Sequence, residues 1–294
     1  YRQKDTYRYC KVHTYPRGIE VINKSSKIKL SYLLIKKGFV SSEGKAKALI
    51  MEGRVLINGS LAEKQGEMMP LDSKIEIIEK MPYVSRGGLK IEGVFNDLGL
   101  DVSGKLAADI GSSTGGFTDF LIQKGAARVI SIDVGYGLLD WKLRNSEKVD
   151  LLEKTNIRYL DIKKIPYKTD ITVVDISFIS IKKIIEKIME LTISNGEILL
   201  LLKPQFELGK KDIVNKGIIK DPVLHSKALG GMINHLKDLP VSILDIKFSK
   251  IKGAKGNIEF WIYLKNSKTL AKSDLNYDKI IQGAVDTAHL FFLK

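Results

Sequence analysis

From residue 106 onward the chain alternates short apolar runs, bounded by polar or glycine-rich breaks, with stretches of helical spacing. The apolar runs are Leu106 to Ile110, Arg128 to Asp133, Ile171 to Asp175, Glu197 to Lys203, Leu244 to Phe248 and Ile258 to Tyr263. Helical patterns such as Phe117 to Lys124 and Ile181 to Met189 lie between several of them. Strands that alternate with helices and are apolar at nearly every position predict a parallel sheet covered on both faces. This is an α/β, Rossmann-like architecture, and it predicts chemistry at the carboxyl ends of the strands.

The chain has 294 residues, enough for that domain and a smaller one. Three segments are expected: an extension over 1–26, a small domain over 27–80 and the large domain over 81–294. Residues 1–26 are basic, rich in tyrosine and without clear period, so no folded structure is expected there. In the small domain Leu30, Leu33 and Leu34 recur at helical spacing and Gly38 ends the helix. Ser41 or Ser42 caps a second helix that carries Ala46, Leu49 and Ile50 on one face and ends at Gly53. A strand from Arg54 to Ile57, the turn Asn58-Gly59 and an alternating strand from Lys74 to Ile78 complete an α+β unit.

The formal net charge of +14 favours polyanions as partners. The single cysteine, Cys10, excludes an internal disulfide, and the four histidines lack ligand spacing, so no metal is expected. No apolar run approaches the roughly 18 residues that span a bilayer, and residues 1–26 lack the pattern of a secretory signal. The expected location is the cytoplasm, with no stable insertion in a membrane.

The stretch KLSYLLIKKGFVSSEGKAKALIMEGRVLING resembles the small RNA-binding domain of the ribosomal protein S-four type. The match lies in the leucine-rich helix, the Gly38 break, Ser41-Ser42, the Lys45-Ala46-Lys47 helix and the ending Val55-Leu56-Ile57-Asn58-Gly59. The resemblance implies phosphate contacts by Lys45, Lys47 and Arg54, which position RNA without reading its bases. Residues 27–80 hold ten basic and seven acidic side chains, so such a face depends on clustering.

In the large domain the first strand turns into a helix through Asp109-Ile110-Gly111-Ser112-Ser113-Thr114-Gly115-Gly116-Phe117. Glycines there let a ligand approach the backbone at a helix start. The spacing is G-x-x-x-G-G and not the G-x-G-x-x-G of a dinucleotide cradle, which suits a cofactor without phosphates. Asp133, 22 residues past Gly111 and followed by Val134, stands where a carboxylate accepts ribose hydroxyls. Asp161, after the third strand, is expected at the adenine end, and Asp175 also borders the pocket.

Four ionisable residues sit at or beside apolar strands or the first helix: Lys90 in Ser85-Arg86-Gly87-Gly88-Leu89-Lys90, Asp175, Lys203 and Glu259. Charges closing apolar runs are costly unless paired. Together they resemble the K-D-K-E tetrad of FtsJ-like ribose 2'-O-methyltransferases. The stretches SRGGLK, DIGSSTGGFTD, DVGYG, DISFIS, LLKPQFE, KDPVLH and GNIEF are similar to the TlyA family. That resemblance implies an S-adenosylmethionine-dependent methyltransferase domain behind an RNA-binding domain. It further implies 2'-O-methylation of cytidine in 16S or 23S rRNA, with ribosomal subunits as partners and Arg86 among the RNA contacts.

The chemistry is coherent in its own terms. A ribose hydroxyl must lose its proton as it attacks a sulfonium methyl, and a lysine amine can take it. Lys203 is the expected base and Lys90 the neighbouring cation. Asp175 and Glu259 hold the two lysines, with the pairing open. A base-amino methyltransferase lacks its Asn/Asp-Pro-Pro-aromatic motif here, because the position reads Asp175-Ile176-Ser177-Phe178. Cytosine C5 transfer lacks a cysteine in the domain. A hemolysin that acts on membranes, a label the TlyA family also carries, finds no spanning helix or barrel pattern. An inactive RNA-binding assembly factor is opposed by the intact tetrad and glycine loop. Gly209 to Lys220, rich in lysine and glycine, is expected to be either a mobile cover over the substrate or a plain surface loop.

Overall fold

The computed structural model describes residues 27–293 apart from 52, 59, 63, 65, 78–80, 210–211, 213–216, 254–255 and 268–275. The expected extension over 1–26, Gly59 of the expected turn and much of the 209–220 segment lie outside the described residues. The chain divides into two compact units, Tyr1–Pro82 and Tyr83–Lys294.

In the first unit the order is β1 (Lys27–Lys29), α1 (Leu30–Lys36), α2 (Glu43–Met51), β2 (Val55–Ile57), β3 (Ser60–Leu61), β4 (Met68–Pro70) and β5 (Ile75–Ile77). Leu30, Leu33 and Leu34 are fully buried against Ala46, Ile50, Val55 and Ile75. Gly38 takes φ +78° just past α1, a left-handed turn that stops the helix. Ser42 Oγ accepts the Lys45 N–H at 3.3 Å, which caps α2. β3, β2 and β5 form an antiparallel sheet. A separate antiparallel pair of β1 with β4 was not legible, because three-residue strands carry too little alternation.

The second unit continues with α3 (Arg86–Leu98), β6 (Leu106–Ile110), α4 (Gly116–Gln123), β7 (Arg128–Ile132), α5 (Trp141–Arg144), β8 (Val149–Leu152), β9 (Thr169–Val174), α6 (Ile185–Leu191) and β10 (Thr192–Leu202). It ends with α7 (Pro204–Glu207), α8 (Pro222–Lys237), β11 (Ser242–Phe248), β12 (Phe260–Lys265) and α9 (Tyr277–Leu293). The sheet order is β11-β12-β10-β9-β6-β7-β8. Alternate residues of each strand feed opposite layers. Ile110, Val174, Leu200 and Leu202 pack with α6, α8 and α9. Ala107, Val173, Leu199 and Leu201 pack with α3 and α4.

The expectation of a parallel sheet needs one correction. β12 runs antiparallel to both β10 and β11. Among the described residues of the connection over 249–259 there is no α-helix to carry a crossover, and the chain turns back to pair antiparallel. The reversal matters for the site, because Leu202, at the end of β10, faces Phe260, at the start of β12. Glu259 therefore reaches the edge where the parallel strands end. The expected strand from Ile258 begins at Phe260, since Asn257 is engaged with the 217–219 backbone: it accepts from Ile219 N at 2.8 Å and donates to Gly217 O at 2.9 Å. The expected helix from Ile181 is a turn of 3-10 helix over Ile181–Lys183, then α6.

Candidate active site

Order at the sheet edge begins with β6 and β9, paired so that Ile110 faces Val174. The Asp175 N–H donates to Ile110 O at 2.9 Å. Gly111 follows at φ +85°, and a Cβ there would stand 2.3 Å from the Asp175 carbonyl oxygen. Only glycine allows this approach, which joins the glycine loop to the strand end carrying Asp175. Asp133 leaves β7 beside it. Its Oδ2 accepts from Ser113 N at 2.8 Å and its Oδ1 from Gly135 N at 2.6 Å, so the carboxylate is oriented by two loops. Each oxygen retains a second lone pair for a hydroxyl donor. Val134 is 68% exposed next to it, an apolar side chain open at this edge.

Two residues expected to touch the cofactor do something else. The Asp109 carboxylate is fully buried, and its Oδ2 accepts from Thr118 N at 2.9 Å and Thr118 Oγ1 at 2.7 Å. Burial pushes its pKa up to about 7, against the two Thr118 hydrogen bonds. Asp109 ties β6 to α4 from beneath the loop and presents no surface to a ligand. The Phe117 ring is likewise core, tilted against Trp261 at 5.6 Å between centroids. Asp161 is exposed and caps a 3-10 turn by accepting from Lys163 N at 3.1 Å. Ser112 is buried, and its Oγ has no hydrogen-bond partner among the described residues. Thr114, Gly115 and Gly116 complete the turn into α4, with Gly115 N donating to Ser112 O at 2.7 Å.

The four ionisable residues converge. Lys90, on α3, donates to Glu259 Oε2 at 2.7 Å, and its Nζ lies 4.0 Å from Asp175 Oδ2. Lys203 Nζ lies 2.5 Å from Asp175 Oδ1 and donates to Ser177 Oγ at 2.8 Å. The order in space is Glu259, Lys90, Asp175, Lys203. Glu259 holds Lys90, and Asp175 sits between the two lysines, closer to Lys203. The Glu259 side chain is 2% exposed and that of Lys203 11%. Burial works to discharge Lys90, but the Glu259 and Asp175 charges and the Glu259 hydrogen bond outweigh it, so its pKa is raised despite nearby Arg86. Gly253 makes room for Glu259: a Cβ there would lie 1.8 Å from Oε1.

Sequence reasoning missed Ser177 and Glu207. Glu207 accepts from Ser180 Oγ at 2.6 Å and from Ile181 N at 2.8 Å. It also missed Phe178, 91% exposed at φ +68°. The expected RNA contacts of the first unit lie on and after α2. Lys45 Nζ donates to Ser41 Oγ at 3.2 Å, Lys47 pairs with Glu43 at 3.1 Å, and Arg54 is half-buried before β2. Arg86 opens α3 in the second unit, where its charge is felt by Lys90. Among the described residues no group of His, Cys, Asp and Glu is arranged to hold a metal, and no helix is long and apolar enough to cross a membrane.

A seven-stranded sheet with one reversed strand, a glycine loop at its first strand end and a K-D-K-E cluster beside it define a methyltransferase of the doubly wound class. The family model of FtsJ-like methyltransferases matches residues 83–266, and that of the S4 domain residues 21–84. The 16S/23S rRNA (cytidine-2'-O)-methyltransferase TlyA of Mycobacterium tuberculosis is 32% identical over 254 residues, covering 86% of this chain and 95% of the relative. Hemolysin A of Brachyspira hyodysenteriae is 39% identical over 228 residues, 76% of this chain and 94% of its own. A solved structure of a candidate hemolysin from Streptococcus thermophilus superposes with a TM-score of 0.69 at 33% identity, covering 91% of this chain and 98% of that one. The chain belongs to the FtsJ-like methyltransferase family, in the group of TlyA proteins that carry an S4 domain in front.

The family implies S-adenosylmethionine as cofactor. The site fits such a group. The loop from Asp109 to Thr118 contains no lysine or arginine for a phosphate, while Ser112 Oγ and the oriented Asp133 carboxylate offer polar partners for hydroxyl and amino groups.

Proposed function

We propose that the protein transfers a methyl group from S-adenosylmethionine to the ribose 2'-hydroxyl of a cytidine in ribosomal RNA. The observation that carries this is the contact of Lys203 with Asp175, whose backbone also meets the glycine loop at Gly111. A proton acceptor and a cofactor loop thus share one residue. The assignment to cytidine of 16S or 23S rRNA rests on the named activity of the TlyA relatives.

Gly111 to Gly116 and Ser112 hold the cofactor's amino-acid end, Asp133 its ribose and Val134 its base, with Asp161 towards the adenine edge. Bound there, S-adenosylmethionine supplies an electrophilic methyl on a sulfonium sulfur. Lys203, as the amine, takes the proton of the 2'-hydroxyl while the oxygen forms its bond to carbon. Asp175 orients Lys203 and stabilises the positive charge that the proton brings to the lysine nitrogen. Lys90, kept charged by Glu259 and Asp175, is a fixed cation beside the acceptor ribose and its phosphates. Lys45, Lys47 and Arg54 supply phosphate contacts from the S4 domain, and Arg86 another beside Lys90.

The test is transfer of labelled methyl from S-adenosylmethionine to ribosomal subunits that lack the modification. Label retained in an alkali-resistant dinucleotide containing cytidine supports the proposal. Label on a base, or none on either subunit, contradicts it.

A further inference from the structure

β9 and β10 are parallel neighbours with Val174 facing Leu200, so their outgoing segments leave the sheet on the same edge. Those segments are joined by five contacts. Lys203 contacts Asp175 and Ser177. The Phe178 and Phe206 rings lie 5.3 Å apart. Glu207 accepts from Ser180 Oγ and Ile181 N at 2.6 and 2.8 Å. Burial raises the Glu207 pKa, with the Ser180 and Ile181 hydrogen bonds and the Lys182 and His235 charges working the other way. A partly desolvated carboxylate that takes no part in the transfer calls for another role.

The loop between β9 and the 3-10 turn does not hold its shape by local preference. Phe178 stands at φ +68°, a region an aromatic residue enters only when its surroundings impose it. The group that grips the far end of this loop is Glu207. The near end carries Ser177, whose hydroxyl accepts one Lys203 N–H, while the Asp175 carboxylate pairs with the Lys203 nitrogen as an ion pair at 2.5 Å. An amine with one N–H bond fixed in direction, and a carboxylate holding its nitrogen in place, has few orientations left for its other tetrahedral positions. The direction of the Lys203 lone pair towards an acceptor hydroxyl then depends on where Ser177 stands.

We propose that Glu207 is a positioning residue: by clamping Ser180 and Ile181 it sets the 176–181 loop and holds Ser177 against Lys203, which aims the base. The role of Lys203 as base is the reading given above, so the proposal rests on it. The clamp itself is geometric and is read separately.

Glu207→Ala, Glu207→Gln and Ser177→Ala are compared in the full-length protein. Glutamine can still accept from Ile181 N and donate to Ser180 Oγ. We expect kcat to fall about tenfold to a hundredfold in Glu207→Ala and Ser177→Ala. KM for cofactor and for subunits should stay within about twofold, and Glu207→Gln should recover kcat to within about threefold of wild type. Adding Ser177→Ala to Glu207→Ala should cost little more, because both act through one contact. An amine-selective acylating reagent, read by mass spectrometry, should label Lys203 several-fold faster in Glu207→Ala and Ser177→Ala. Lys105, paired with Glu197 at 2.5 Å, is the internal reference. Unchanged Lys203 labelling and unchanged kcat in Glu207→Ala overturn the proposal. So does a Glu207→Gln protein as impaired as Glu207→Ala, which would make charge the operative property and not the clamp. Should Glu207→Ala fail to fold, Ser177→Ala and Ser180→Ala carry the same comparison. Labelling needs no methyl transfer, so a wild type inactive on ribose would refute the reaction assigned above and leave the clamp to be judged by labelling.

Discussion

Lys90 and Glu259 stand 169 residues apart in the chain and meet at 2.7 Å. The contact exists because β12 enters the sheet in reverse beside β10, which brings the residue before it to the carboxyl edge of the parallel strands. The reversed strand thereby completes the tetrad.

Glu259→Gln should be costly. Removing one partner of a buried pair leaves the other charge uncompensated, about 3–5 kcal/mol in a sealed interior. Asp175 remains 4.0 Å from Lys90, so a loss of about 2–3 kcal/mol is expected, read by urea denaturation. The pair raises the Lys90 pKa above that of a free lysine. Its contribution is therefore whole below the free value and is lost only as pH rises through the raised folded value. The difference between variant and wild type should be flat from pH 6 to 9 on the scale of about 0.5 kcal/mol.

Gly111→Ala should separate the cofactor loop from Asp175. The added Cβ meets a backbone oxygen at 2.3 Å, and φ +85° strains any other residue. A loss of about 1–3 kcal/mol and no measurable heat on titration with S-adenosylmethionine are expected. Binding at wild-type affinity would show that the loop is not the cofactor's seat.

Much of this site was legible because charge at the end of an apolar run is rare. Lys203 after Leu199 to Leu202 and Asp175 after Val173-Val174 declare strand ends that need partners. Their pairing was not legible, since it depends on the place of β12 in the sheet. Asp109 and Phe117 were expected at the cofactor from their proximity to the glycines, and their side chains are buried. The alternation of β6 held the correction: Asp109 lies on the face of Ala107, opposite Ala108 and Ile110. Lys47 likewise has Glu43 one helical turn behind it, a pairing that sequence spacing shows. Glu207 gave no such signal, because its partner Ser180 is 27 residues away and is reached only through adjacent strand ends.

Asp109→Asn should reverse its effect with pH. The folded pKa, about 7, exceeds the ordinary 3.8, so the folded state keeps a proton that the unfolded chain has lost. Wild-type stability from this residue falls as pH rises from about 4 to about 7 and is level above, at most about 1.4 kcal/mol per pH unit. Asparagine has no proton to lose and can still accept from Thr118 N. The variant should therefore gain on wild type as pH rises from about 5 to about 7 in denaturant titrations. A constant difference would place the Asp109 pKa outside that window.

In the proposed reaction Lys203 takes the ribose proton. Single-turnover transfer from labelled S-adenosylmethionine to unmodified ribosomal subunits, wild type against Lys203→Ala, tests it most directly. A rate lower by about a thousandfold or more is expected, with cofactor affinity within about threefold of wild type. Transfer by Lys203→Ala within about tenfold of wild type would contradict it, and the proton acceptor would have to be sought elsewhere.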